Sequence, residues 1–339
     1  MSDDAVPHRR RPRYAGKHPR RFEDKYKEHD PVQFPEVAAK VLASGKTLAG
    51  THRPIMVAEI LDVLAPKRGE VAVDCTLGYG GHAQEILPQC GRLIGLDVDP
   101  IELPKTEARL RALGFGADVF TARRSNFAGL PKALAGEGIA GVDMILADLG
   151  VSSMQLDDPV RGFSVKSDGP LDMRMNPRRG QPASVLLKTL EADELAALLG
   201  ENADEPHADV LSRALAGRRF ATTIEIGRAV RAALPRVHDD ECEASVRRVF
   251  QALRIAVNDE FGALDMLLRD LPACLNRGGR VAVLTFHSGE DRRVKKSFLA
   301  GLRDGIYRDV ARDVIRASAD ERRANPRSTS AKLRWAIKS

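Results

Sequence analysis

The chain has 339 residues, 53 Lys plus Arg against 47 Asp plus Glu, and 43% hydrophobic residues. That apolar content excludes a wholly disordered chain, and the length fits one large domain or two modest ones. The net charge of +6 is uneven: residues 1–30 carry nine basic and six acidic side chains, residues 292–339 carry fourteen and five, and the body between them is net acidic.

Residues 1–33 read as a disordered basic arm, with seven basic residues and no acid from Pro7 to Arg21. Ordered structure is expected from about Phe34. Ile55 to Leu64 has helical spacing and stops before Pro66. Five apolar runs follow: Val71–Asp74, Arg92–Asp97, Asp118–Thr121, Val142–Asp148 and Gly279–Phe286. Three of them end in an acid, and a helix is expected after the first at His82–Leu87. Near-continuous apolar strands alternating with helices predict a parallel sheet covered on both faces. Between the fourth and fifth runs lie helical patterns around Leu195, Val210 and Ile224–Leu234, then a stripe through Val246, Val249, Phe250, Leu253, Val257, Phe261, Leu264 and Leu268 that predicts one long helix. Arg292–Arg323 is basic and helical in character, and Lys332–Ile337 alternates like a final edge strand. The fold class expected is α/β: a Rossmann-like sheet domain, 34–155 and 246–339, with an all-helical substrate-recognition domain inserted at 156–245.

Cys75, Cys90, Cys242 and Cys274 stand far apart, which argues against a zinc site or a disulfide framework and fits a reducing compartment. No apolar run approaches the roughly 18 residues of a membrane helix, and the start of the chain lacks a signal-peptide core of about 7–15 apolar residues. A cytoplasmic location with no membrane association is the expectation.

The chemistry-bearing residues cluster at strand ends. Asp74-Cys-Thr-Leu-Gly78-Tyr-Gly80-Gly81-His82 is a glycine turn between a strand and a helix, where backbone can approach a ligand closely. Asp97 ends the second run, where an acid can accept both ribose hydroxyls of an adenosine ligand. Asp74 just before the glycines suits a cationic amine and would repel a pyrophosphate, which favours S-adenosylmethionine over NAD. Asp148–Met175 and Thr285–Arg292 are two further polar segments at the carboxyl ends of strands. Each taken alone is also ordinary turn and cap chemistry. An NAD-dependent oxidoreductase and a non-catalytic RNA-binding factor are the competing readings.

In this order and spacing the residues resemble the bacterial small-subunit ribosomal RNA cytosine-N4 methyltransferases of the MraW or RsmH type. The resemblance rests on His52–Glu59, Asp74–His82, Gly95–Pro100, Asn126-Phe127, Ala147–Ser153, Gln155–Asp157, Arg161–Ser164, Gly169–Met175, Phe250–Ile255, Val257–Glu260, Phe286–Ser288, Glu290–Arg292 and Asn325–Arg334. It covers the chain from about residue 52 to its end. It implies a class I methyltransferase sheet and S-adenosylmethionine as cofactor, held by Gly80, Gly81, His82, Asp97, Phe127, Asp148 and Gln155. It further implies methyl transfer to the N4 amine of a cytidine, with small-subunit (16S) ribosomal RNA or the 30S particle as partner and a homodimer left open. Asp148 is the candidate catalytic acceptor. Asp172, Arg174, Asn258, His287 and Ser288 are the candidate substrate contacts, and Phe163 is either a stacking platform or a core residue. No metal is expected. The chain departs from the family pattern at Met154, where proline is usual, and at Gly289, where leucine is usual.

Overall fold

The computed structural model describes residues 54–339, so the expected N-terminal arm and the start of order near Phe34 lie outside the described residues. The elements run α1 (Val57–Leu64), β1 (Val71–Asp74), α2 (Gly81–Ile86), β2 (Arg92–Asp97), α3 (Glu102–Ala112), β3 (Phe120–Arg124), α4 (Leu130–Gly136), β4 (Val142–Asp148) and α5 (Ser153–Asp157). Then come α6 (Ala183–Thr189), α7 (Ala192–Ala203), α8 (Ala208–Leu215), α9 (Thr223–Ala233), α10 (Asp239–Asn258), α11 (Glu260–Cys274), β5 (Leu275–Thr285), α12 (Ser288–Arg303), β6 (Tyr307–Val310), α13 (Ala319–Ala324) and β7 (Lys332–Lys338).

The seven strands form one sheet in the order β3-β2-β1-β4-β5-β7-β6. β1 to β5 pair in parallel, and β7 pairs antiparallel with both β5 and β6. Strand alternation sends successive side chains to opposite faces. Val73, Ile145, Ala147, Val281 and Val283 therefore join one core with Leu134 of α4, Leu267 and Leu271 of α11 and Phe298 of α12. Their neighbours Ala72, Met144, Leu146, Ala282 and Leu284 join a second core with Ile60 of α1, Ile86 of α2 and Leu110 of α3. Because both faces are buried, the strands carry almost no polar residues until their ends.

A third core is wholly helical. Leu187, Leu195, Leu199, Leu211, Ile226 and Val230 close on Val246, Val249 and Leu253 of α10, with Phe163 and Met173 supplied by the loop after β4. Phe163 is 6% exposed, so it is a core residue.

Four expectations are corrected. The stripe from Val246 to Leu268 is two helices, because Asp259 takes a left-handed conformation (φ 49°) and ends α10. The apolar stripe is continuous, but α10 packs in the helical core and α11 in the sheet core. Core membership therefore changes at Asp259. The third strand is Phe120–Arg124, shifted from the expected Asp118–Thr121. The basic segment after Arg292 is helical only to Arg303 and then supplies β6, whose two buried residues, Tyr307 and Val310, leave little pattern to read. β7 is interior, with β6 at the edge. Arg334 in β7 is buried through its pair with Asp291 of α12, at 2.6 Å, so a simple in-out alternation misstates the strand.

Candidate active site

The carboxyl ends of β1, β2 and β4 meet at the glycine turn. Gly78 and Gly80 take φ of 47° and 72°, left-handed values that a β-carbon penalises. A β-carbon on Gly80 would also lie 3.0 Å from Thr106 and 3.1 Å from Leu110 of α3. The turn is tied to β2: the Gly78 N–H donates to Asp97 Oδ2 at 2.7 Å, and Thr106 Oγ1 donates to the Gly78 carbonyl at 2.6 Å. Asp97 Oδ1 accepts the N–H of Asp99 at 2.8 Å. Gly81 is the first residue of α2 and His82 the second.

Three carboxylates surround this turn, and burial raises each of them. Asp74 is pushed up to about 6 by burial, partly offset by His82 and by the Thr76 N–H, with Asp148 and Asp97 adding repulsion. Asp97 is likewise pushed up to about 6, against the backbone N–H groups it accepts. Asp148 reaches about 7 through burial and the nearby Glu290. Asp148 Oδ1 is enclosed and has no hydrogen-bond partner among the described residues. Raised carboxylates gathered at one strand edge suit a positively charged ligand, which would favour their ionised forms.

His82 faces Asp148. Its Nε2 lies 2.9 Å from the Ile55 carbonyl, which can only accept, so Nε2 carries a proton. Nδ1 lies 3.6 Å from Asp148 Oδ2, just beyond direct hydrogen-bond reach. The backbone N–H of Asp148 donates to Thr76 Oγ1 at 2.7 Å, which fixes the end of β4 against β1. Thr76 carried no signal in the sequence beyond its place in the glycine turn.

Phe127 begins the turn after β3, where Asn126 Oδ1 caps the N–H of Ala128, and it packs half-buried against the sheet core. Gln155 is 8% exposed and has both ends occupied. Its Oε1 accepts the Ser152 N–H at 3.0 Å, and its Nε2 donates to Asp99 Oδ2 at 2.9 Å. Asp99, fully buried, also takes Arg161 Nη1 at 2.8 Å. Sequence reasoning assigned no role to Asp99 or Arg161. Their pairing joins positions far apart in the chain.

The expected substrate residues fall into two groups. Arg174 grips Asp172 through Nε at 2.8 Å and Nη2 at 2.7 Å. Burial alone would raise the Asp172 carboxyl, but this two-point pair and the Arg174 N–H bring it below its ordinary value. Asn258 Oδ1 accepts the Met175 N–H at 2.7 Å, while Nδ2 donates to the carbonyls of Met173 and Arg254 at 2.8 and 2.9 Å. Asn258 thus brackets the loop that carries Arg174. His287, in the second group, caps α12 in a reciprocal box with Glu290, and its Nε2 lies 3.1 Å from Glu290 Oε1. Burial pushes Glu290 up, but His287, Arg254 and the Phe286 N–H bring it below its ordinary value. Ser288 Oγ donates to Asp204 Oδ2 at 2.8 Å. Arg254 forms a two-point pair with Glu260 at 2.8 and 2.9 Å, so it is not on a merely solvated face.

A parallel sheet of this order, closed by an antiparallel β7 and carrying a glycine turn ringed by carboxylates, defines a class I methyltransferase. The chain belongs to the MraW methylase family, whose sequence profile matches residues 49–339. Ribosomal RNA small subunit methyltransferase H 2 of Alkaliphilus metalliredigens is 48% identical over the full length of both chains. Ribosomal RNA small subunit methyltransferase H 1 of Lachnoclostridium phytofermentans is 48% identical over 98% of this chain and 93% of that protein. A solved rRNA methylase of Streptococcus thermophilus is 12% identical, with a TM-score of 0.39 over 83% of this chain and 93% of that one. Among the described residues no helix is long and apolar enough to cross a membrane.

Proposed function

We propose that this chain methylates the exocyclic N4 amine of a cytidine in small-subunit ribosomal RNA, using S-adenosylmethionine. The observation that carries the reading is Asp148: a carboxylate at the end of β4, beside the glycine turn, with an enclosed and unpartnered Oδ1. Bound S-adenosylmethionine supplies an electrophilic methyl group on a sulfonium cation. Its positive charges suit the buried carboxylates Asp74, Asp97 and Asp148, whereas the pyrophosphate of NAD would be repelled by them. Asp97 is assigned to the ribose, Gly80, Gly81 and His82 to the turn that the cofactor approaches, and Phe127 to the adenine.

The N4 amine of cytosine is a weak nucleophile because its lone pair is delocalised into the ring. Asp148 would accept an N–H of that amine, favouring a pyramidal nitrogen, and would take its proton as the N–C bond forms and the S–C bond breaks to leave S-adenosylhomocysteine. The Asp148 N–H, donated to Thr76 Oγ1 at 2.7 Å, holds the end of β4 in place beside His82. Gln155 acts by fixing the loop after β4 through Asp99. Asp172, Arg174 and Asn258 are assigned to the loop that meets the RNA, and His287 and Ser288 to the start of α12 as further substrate contacts. The helical insertion at 156–245 is assigned to substrate recognition. The RNA must present the base single-stranded or flipped from its stack.

The test is methyl transfer from labelled S-adenosylmethionine to 30S particles from a strain lacking this activity, followed by mapping of N4-methylcytidine. Transfer to one cytidine supports the reading. Cofactor binding without transfer to any rRNA would overturn it in favour of a non-catalytic factor.

A further inference from the structure

A cleft of about 210 Å³ opens where the first turns of α12 face α11 and α7. It is lined by Gly289, Arg292, Arg293 and Lys296, with Phe261 and Glu201 opposite. The four α12 residues are spaced i, i+3, i+4 and i+7, so a single helix face supplies them. A β-carbon on Gly289 would stand 2.7 Å from Phe261 Cζ and 3.2 Å from His287 Nδ1. Any side chain at 289 would therefore collide with the Phe261 ring as placed, so glycine is what lets the ring approach α12.

The chemistry of the cleft is layered. Arg293 lies over the Phe261 ring at 4.2 Å from its centre, and His287 packs against the same ring at 5.8 Å between centroids. This aromatic and guanidinium stack offers a flat surface of the kind on which an unpaired base packs. Arg292 and Lys296 are exposed beside it. Arg292 is paired with Asp204 at 3.2 Å and Arg293 with Asp265 at 2.6 Å. Such exposed pairs hold their partners weakly, so a phosphodiester can take a guanidinium from them at little cost. The cleft starts five residues after Leu284, which is the register partner of Asp148 in β4. It therefore borders the sheet edge that carries the proposed chemistry.

We propose that this cleft holds one nucleotide of a single-stranded RNA segment flanking the methylated base. The base packs on the Arg293–Phe261 stack, and Arg292 and Lys296 hold the phosphates. The proposal rests on the reading of the chain as an RNA methyltransferase. The excess of base from residue 292 onward favours RNA over an acidic protein segment as occupant, because contiguous phosphates meet repeated cations along a helix face.

The experiment uses the full chain, a fluorescent single-stranded oligoribonucleotide about 12 nucleotides long, and 30S particles from the methylation-deficient strain. Arg292→Ala and Lys296→Ala should each weaken RNA binding roughly threefold to tenfold and lower the salt slope by about 0.7. Lys296→Arg should retain both. Gly289→Leu should weaken binding about tenfold or more while leaving the slope unchanged, as expected for lost stacking. Unchanged affinity and slope in all four variants, with the parent protein binding RNA and methylating 30S particles, would overturn the cleft alone. Variants that lose 30S binding but keep oligonucleotide binding would assign the cleft to a ribosomal protein and overturn it too. If the parent protein neither binds RNA nor methylates, the cleft and the proposed function fall together.

Discussion

Arg161→Met tests the strut between the sheet and the helical core. Arg161 is 7% exposed and Asp99 fully buried, so both charges are desolvated. The guanidinium donates to Asp99 Oδ2 at 2.8 Å, to the Met175 carbonyl at 2.8 Å and to the Arg174 carbonyl at 3.2 Å. Methionine keeps the stem volume and removes every one of these donors. Removing one partner of a buried pair costs about 3–5 kcal/mol, because the other charge stays buried. The stranded Asp99 keeps Gln155 Nε2 at 2.9 Å and the N–H groups of Ile101 and Glu102 at 2.8 and 3.3 Å. Those remaining donors hold the loss near the lower end of the range, at about 3 kcal/mol, or roughly 4–5 °C in Tm for a chain of this length. Urea unfolding at constant m-value is the assay. Adding Asp99→Asn removes the stranded charge, so the double variant should regain about 1–2 kcal/mol over Arg161→Met. A loss below about 1 kcal/mol, or a double variant no more stable than the single one, would refute the argument that buried charge dominates here.

Other outcomes follow from the carboxylates. Asp148→Asn should lower kcat by about 10²–10³ with cofactor affinity changed only a few-fold, measured by single-turnover transfer and calorimetry; a wild-type rate would remove Asp148 from the chemistry. Asp97→Ala should abolish cofactor binding by calorimetry, and unchanged binding would relocate the ribose. Asp74 and Asp97 sit at about 6 and Asp148 at about 7, all raised chiefly by burial. A carboxyl raised on folding stabilises the protonated fold, so its contribution is present in acid and is lost as pH rises through 6–7. A cationic cofactor reverses that loss. The rise in Tm at saturating S-adenosylmethionine should therefore be larger near pH 8 than near pH 5.5, by thermal melting, and equal gains would contradict it.

The sheet was legible because strands buried on both faces are almost unbroken apolar runs, and the acid that ends a run marks the functional edge. Asp74, Asp97 and Asp148 are each the last residue of a strand. β6 was not legible, since an edge strand with two buried residues has no run to find. The break at Asp259 was hidden because one stripe of apolar residues serves two cores in succession. Periodicity reports that a face is buried and not what buries it.

The same limit governs the polar residues. Residue type and loop position picked out Asp148, Gln155, Asp172, Arg174 and Asn258 alike, because a side chain that holds a loop has the same chemistry as one that holds a ligand. Only partners separate them. Gln155 and Asn258 have both ends committed to protein, and Asp172 and Arg174 are committed to each other. Loss of any of these should act through misplaced loops and show in KM as well as kcat. Asp148 alone of the five keeps an enclosed oxygen without a partner. A ligand that brings an N–H to that oxygen satisfies it, whereas the committed groups of the other four offer no such opening. That opening is the physical reason to propose Asp148, ahead of its neighbours, as the residue that meets the reacting amine.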